Sequence, residues 1–123
     1  MSSPAANIYI AVIDDDESLC RSLSRLLRAS GLQPITYPSA EAFLADTKHP
    51  QFDCLVLDIQ LGGMSGIELQ RRLAAEGEAS PVIFITAHDD PAARAQAQAA
   101  GYAYFRKNDS GSEVIEAIRR AVA

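Results

Sequence analysis

The sequence predicts an α/β domain whose parallel sheet carries helices on both faces. Three observations predict it. Short apolar, β-branched runs alternate five times with segments of helical periodicity. The first, third and fourth runs are almost continuously apolar, as strands buried on both faces are. A length of 123 residues, 48% of them apolar and 22% charged, suits one globular domain with a real core, here residues 1–123.

The first strand is "NIYIAVI", Asn7 to Ile13. Leu19, Leu23, Leu26 and Leu27 then recur at helical spacing, and Gly31 supplies the stop. "QPITY" reads as a weak edge strand, because Pro34 removes a ladder donor. Ser39 caps the short helix "AEAFLADT". "DCLVLD" is the third strand, followed by the helix "SGIELQRRLAAEG" with Ile67, Leu69 and Leu73 inward and Gly77 closing it. "PVIFIT" is the fourth strand. Asp90-Pro91 opens the next helix as N-cap and first helical residue. "YAYF" is the fifth strand. Ser110-Gly111-Ser112-Glu113 forms a capping box for a last helix with Val114, Ile115, Ile118 and Val122 inward. Five strands in so short a chain favour the flavodoxin-like order 2-1-3-4-5, a (βα)5 doubly wound sheet.

Composition excludes several functions. A net charge of −5 argues against direct nucleic-acid binding, which needs clustered Lys and Arg. No apolar run spans a bilayer, and "MSSPAANIY" lacks a basic start and an apolar signal core, so no membrane association and a cytoplasmic location are expected. Cys20 and Cys54 fit reduced thiols. His49 and His88 lie in no metal-ligand pattern.

Sites in open parallel sheets form outside the carboxyl ends of the strands. Asp14, Asp15 and Asp16 follow strand one, Asp58 ends strand three, Thr86 and then Ala87 end strand four, and Lys107 follows strand five. Each has an ordinary explanation alone: turn and cap chemistry for the aspartates, β-propensity for Thr86, solvation for Lys107. Asp58 is the exception, because a charge at the tip of an apolar strand is costly unless something pairs with it. Asp14, Asp15 and Asp58 would repel one another unless a cation sat among them, and all-oxygen ligation suits Mg²⁺, with Mn²⁺ as a substitute. One Asp58 oxygen would then stay free as a nucleophile toward a phosphoryl donor, with Thr86 and Lys107 stabilising the transferred oxygens.

The blocks "VIDDDES", "VLDIQLGGMSGIEL", "VIFITAH" and "YFRK", in this order, resemble the receiver domain of two-component response regulators over nearly the whole chain. The resemblance implies that Asp58 accepts a phosphoryl group from a phosphohistidine on a sensor histidine kinase or phosphotransfer protein. It implies a Mg²⁺ pocket of Asp14, Asp15, Asp58 and the Gln60 backbone carbonyl. Lys107, Thr86 and the Ala87 backbone would bind phosphoryl oxygens, and Thr86 and Tyr104 would be a switch pair. The face formed by helix four, strand five and helix five would change on phosphorylation and recruit a partner or a second copy. Its fourth helix, "PAARAQAQAA", has no large apolar anchor; the alternative is that its alanines simply allow close packing.

The chain departs from the family pattern at several places. Gly62 stands where Pro is common, which predicts a looser loop beside Asp58. Asn108 follows Lys107 where a cis proline is usual. A cis bond to Asn108 would cost about 3 kcal/mol, so trans geometry or a strained link is expected. The segment from Gly101 to Lys107 is one residue short of the usual spacing. Two other functions compete. A haloacid-dehalogenase-type phosphatase also uses a strand-end Asp, but wants a second acid where Gln60 stands. A receiver-like module that binds partners without phosphorylation is the third. On the receiver reading the chain is a signalling domain, not an enzyme.

Overall fold

The computed structural model describes residues 7–108 and 111–123. In chain order its elements are β1 (Tyr9–Ile13), α1 (Glu17–Ala29), β2 (Gln33–Tyr37), α2 (Ala40–Ala45), β3 (Cys54–Asp58), α3 (Gly66–Ala75), β4 (Val82–Thr86), α4 (Pro91–Ala99), β5 (Ala103–Arg106) and α5 (Gly111–Val122). The strands form one parallel sheet in the order β2-β1-β3-β4-β5, as the sequence predicts. The three apolar strands, β1, β3 and β4, are its interior, and Pro34 lies in the edge strand β2.

Strand periodicity splits the apolar residues between two cores. Ala11, Ile13, Leu55, Leu57 and Phe84 face α2, α3 and α4, meeting Phe43, Leu69, Ala93 and Ala97. Ile10, Val12, Cys54, Val56, Ile83 and Ile85 face α1 and α5, meeting Leu23, Leu27, Ile115 and Ile118. Both cysteines are free and buried.

The helix boundaries follow local chemistry. Asp16 caps α1 by accepting from Ser18 and Leu19 N–H, Ser39 caps α2 through Ala42 N–H, and Asp90 caps α4 with Pro91 at its first position. Gly31 and Gly77 take the left-handed conformation after α1 and α3 (φ 82° and 85°). Ser110 of the expected capping box lies outside the described residues. One expected core residue is not in the core: Leu26 is 43% exposed. The buried stripe of α1 is turned toward Cys20 and Ser24, which leaves Leu26 beside Gly111, where a β-carbon would stand 2.5 Å from Leu26 Cδ1.

Tyr37 closes the β2 end of one core. Its ring packs edge-on to Phe43 (5.2 Å between centroids) and its hydroxyl donates to Asp46 Oδ2 at 2.6 Å. That bond holds the Asp46 carboxyl below the usual range, while burial, with the Asp46 bond adding to it, pushes the Tyr37 hydroxyl up. A depressed carboxyl contributes stability above its ordinary pKa and loses it as pH falls through the folded value. A raised phenol contributes below its ordinary pKa and loses it as pH rises through the folded value. The bond therefore stabilises the fold from about pH 4 to about pH 10. Tyr37→Phe is expected to lower the melting temperature by a few degrees at pH 7. The gap to wild type should close as the pH falls below the carboxylate range, read by circular dichroism melts in acid; a gap that persists there counts against the bond.

Candidate functional site

Register and parity assemble the site. Ile13 pairs with Leu57, so Asp14, one residue on, stands level with Asp58 at the carboxyl edge of the sheet. Thr86 pairs with Arg106, so Lys107 is the first residue past β5. Asp14, Asp58 and Lys107 continue the alternation that faces α1 and α5, whereas Thr86 and Tyr104 continue the one that faces α4. Asp58 is thus carried to the rim by the buried run Cys54–Leu57, every residue of which is at most 2% exposed.

Asp14 and Asp58 are each 1% exposed. Lys107 Nζ lies between them, 2.9 Å from Asp14 Oδ1 and 3.0 Å from Asp58 Oδ2. Its aim needs no cis bond: all described peptide bonds are trans, and Lys107 N–H anchors on the Thr86 carbonyl at 2.7 Å. Asp14 Oδ1 also accepts from Asp16 N–H (2.8 Å), and Asp58 Oδ1 from Gln60 N–H (3.0 Å). Asp14 Oδ2 is ion-paired with Nζ at 2.9 Å, but it is buried without a hydrogen-bond partner.

Burial pushes the Asp14 carboxyl up to about 6; the bonds from Lys107 and Asp16 pull it down, and the Asp58 charge adds to the rise. Burial alone would lower Lys107, but its bonds to Asp14 and Asp58 outweigh that and leave it raised. Asp15 is exposed, and one oxygen from each of Asp14, Asp15 and Asp58 lies within 4.8 Å of the others. Three carboxylates against one ammonium leave net negative charge, and one buried oxygen among them, Asp14 Oδ2, accepts no hydrogen bond. An all-oxygen donor set of this kind fits a hard divalent cation.

Thr86 is fully buried, and its hydroxyl donates to the His88 carbonyl at 2.7 Å. Tyr104 is half-buried on the same face. Its hydroxyl accepts from Asp90 N–H at 3.2 Å and lies 3.5 Å from Asp89 Oδ1. Arg94 of α4 pairs with Asp89 at 2.6 Å and places its guanidinium carbon 5.3 Å from the Tyr104 ring centroid. Both expected switch residues are therefore tied to the β4–α4 loop rather than gathered with Asp58. Ala87 is exposed in that loop. Sequence reasoning missed Asp89 and Arg94; the one signal for Arg94 was that it is the only charge in "PAARAQAQAA".

Residues 10–119 match the family model of the response regulator receiver domain. The chain belongs to this family. The response regulator protein TodT of Pseudomonas putida is 39% identical over 123 residues, covering 99% of this chain and 53% of that protein. The receiver thus spans about half the length of TodT. Among solved structures, a response regulator receiver protein from Burkholderia phymatum is 44% identical with TM-score 0.80, over 94% of this chain and 95% of that one. FixJ-N is 34% identical with TM-score 0.83, over 95% and 94%. Among the described residues of the receiver, no helix is long and apolar enough to cross a membrane.

Proposed function

We propose that this receiver is a phosphoacceptor that takes a phosphoryl group on Asp58 from the phosphohistidine of a sensor histidine kinase or phosphotransfer protein. The observation that supports it is the Lys107 ammonium held between Asp14 and Asp58 at a sheet edge. An Asp58 carboxylate oxygen forms a bond to phosphorus as the phosphorus–imidazole nitrogen bond breaks, and the histidine leaves with its electron pair and takes up a proton. Lys107 exchanges its Asp58 contact for a phosphoryl oxygen, joined by Thr86 and the Ala87 backbone. Asp14, Asp15, Asp58 and the Gln60 carbonyl would hold Mg²⁺ or Mn²⁺. Such an ion neutralises the charge that builds on the phosphoryl oxygens.

The signal leaves through Thr86 and Tyr104. Drawing the Thr86 hydroxyl toward the phosphoryl group frees the loop that also holds the Tyr104 hydroxyl, and α4 shifts on the small footing of Ala93 and Ala97. The face of α4, β5 and α5 then engages an output domain, a partner or a second copy. The domain is a cytoplasmic signalling module rather than an enzyme; its two unpaired, buried cysteines suit a reducing compartment.

Acetyl phosphate with Mg²⁺, followed by intact-mass measurement, tests this. A stable gain of about 80 Da in wild type, absent in Asp58→Ala, is expected for one aspartyl phosphate. Rapid turnover of phosphomonoesters would favour the phosphatase. No gain at all would leave a binding module that works without phosphorylation.

A further inference from the structure

The loop from β3 to α3 carries Gly62 and Gly63, both exposed, with Gly63 at φ 78°. Glycine contributes no side chain to brace such a loop and leaves its backbone free. A brace comes instead from α2. Glu41, in the first turn of that helix, accepts the Met64 N–H on Oε2 at 3.1 Å, across 23 residues of sequence. Its carboxylate also lies against the Gly63 backbone: a β-carbon there would stand 3.1 and 3.3 Å from the two oxygens. Near its other end, two residues past Asp58, the same loop carries Gln60, whose N–H donates to Asp58 Oδ1. Glu41 and Asp58 are therefore two ends of one short structural connection.

We propose that Glu41 is a positioning residue for the chemistry at Asp58, setting how long a phosphoryl group stays there. This rests on Asp58 being the phosphoacceptor. Loss of the phosphoryl group needs a water oxygen to bond to phosphorus as the Asp58 oxygen–phosphorus bond breaks. The products are the free carboxylate and inorganic phosphate, which together with solvent take the proton water gives up. A loop held by Glu41 keeps Gln60 N–H on the Asp58 carboxyl group and restricts the approach of that water. The charge of Glu41 is not what the brace needs. An acceptor oxygen at that place is enough, so glutamine should serve where alanine does not.

The test measures the half-life of the phosphorylated protein by intact mass after acetyl phosphate is removed. Glu41→Ala and Glu41→Gln are compared with wild type at equal Mg²⁺. Glu41→Ala is expected to shorten the half-life about tenfold, the low end of what groups orienting a reactive side chain carry. Glu41→Gln should stay within about twofold of wild type, because its amide oxygen still accepts from Met64. Glu41 is exposed, so the melting temperature should hardly move, and amide exchange in the unphosphorylated, metal-free protein should be faster at Met64 in Glu41→Ala alone. A half-life in Glu41→Ala that is unchanged or longer would overturn the proposal, as would unchanged protection at Met64. If wild type itself gains no mass, the phosphoacceptor assignment fails and this proposal with it. A normal gain with an unaltered half-life removes the role of Glu41 alone.

Discussion

Lys107→Met is expected to slow phosphorylation of Asp58 by acetyl phosphate by about a hundredfold or more, the usual effect of removing one preorganised donor from a developing oxyanion. It is also expected to destabilise the unphosphorylated protein. Asp14 and Asp58 are each 1% exposed, and their common counter-charge is the Lys107 ammonium at 2.9 and 3.0 Å. Its side chain is 14% exposed, so solvent screening discounts the pairing only a little. Removing one member of a buried ion cluster costs about 3 kcal/mol, because the remaining charges stay buried and uncompensated. That corresponds to a fall on the order of 10 °C in the melting temperature of a domain this size. Added Mg²⁺ should return part of the loss, since a cation bound only by the folded state stabilises it by mass action. Melts in EDTA and in Mg²⁺ check this. Equal melting temperatures for variant and wild type in EDTA would mean that the ammonium is not what holds the carboxylates together.

Gly66→Ala is the second large effect, and its origin is steric. Gly66 is the first residue of α3, and its N–H donates to the Ile59 carbonyl at 3.2 Å. A β-carbon on it would fall on the carbonyl oxygen of Asp58, 2.9 Å from that carbonyl carbon and 3.2 Å from Ile59 Cα. All three atoms are backbone, so no rotamer change relieves the overlap. Either α3 backs away from the sheet or the end of β3 moves, taking Asp58 with it. A cost of about 3 kcal/mol, the upper part of the range for overpacking, is expected in urea unfolding. Phosphorylation should fall as well. Gly62→Ala is the control: its added carbon meets nothing within 4 Å and its φ is not in the left-handed region, so its stability should match wild type. If the two variants unfold at the same urea concentration, the close approach of Gly66 is not a constraint.

The parts of this molecule that were legible in the sequence are those governed by short periods. Alternation along β1, β3 and β4 is enough to place Asp14 and Asp58 at one rim, and the order of strands brings Lys107 there too. The departure at Asn108 predicts a trans or strained link after Lys107. The link is trans, and a long side chain, anchored by its own N–H on Thr86, reaches both carboxylates. Contacts between elements were not legible. Glu41 meets Met64, Tyr37 meets Asp46, and Arg94 with Asp89 meets Tyr104 only because the fold brings separate turns together. No spacing rule encodes such pairs. Leu26 failed for a related reason: helical period assigns a stripe, but its neighbours in space decide which edge of the stripe is covered, and Ser24 took that place.

The Thr86 hydroxyl has one hydrogen, and it is already committed to the His88 carbonyl. On the proposed function, turning that hydroxyl toward a phosphoryl oxygen at the rim would take the 2.7 Å bond away from the loop. The message across the sheet would then be the transfer of one donor, from the His88 carbonyl to a new oxygen.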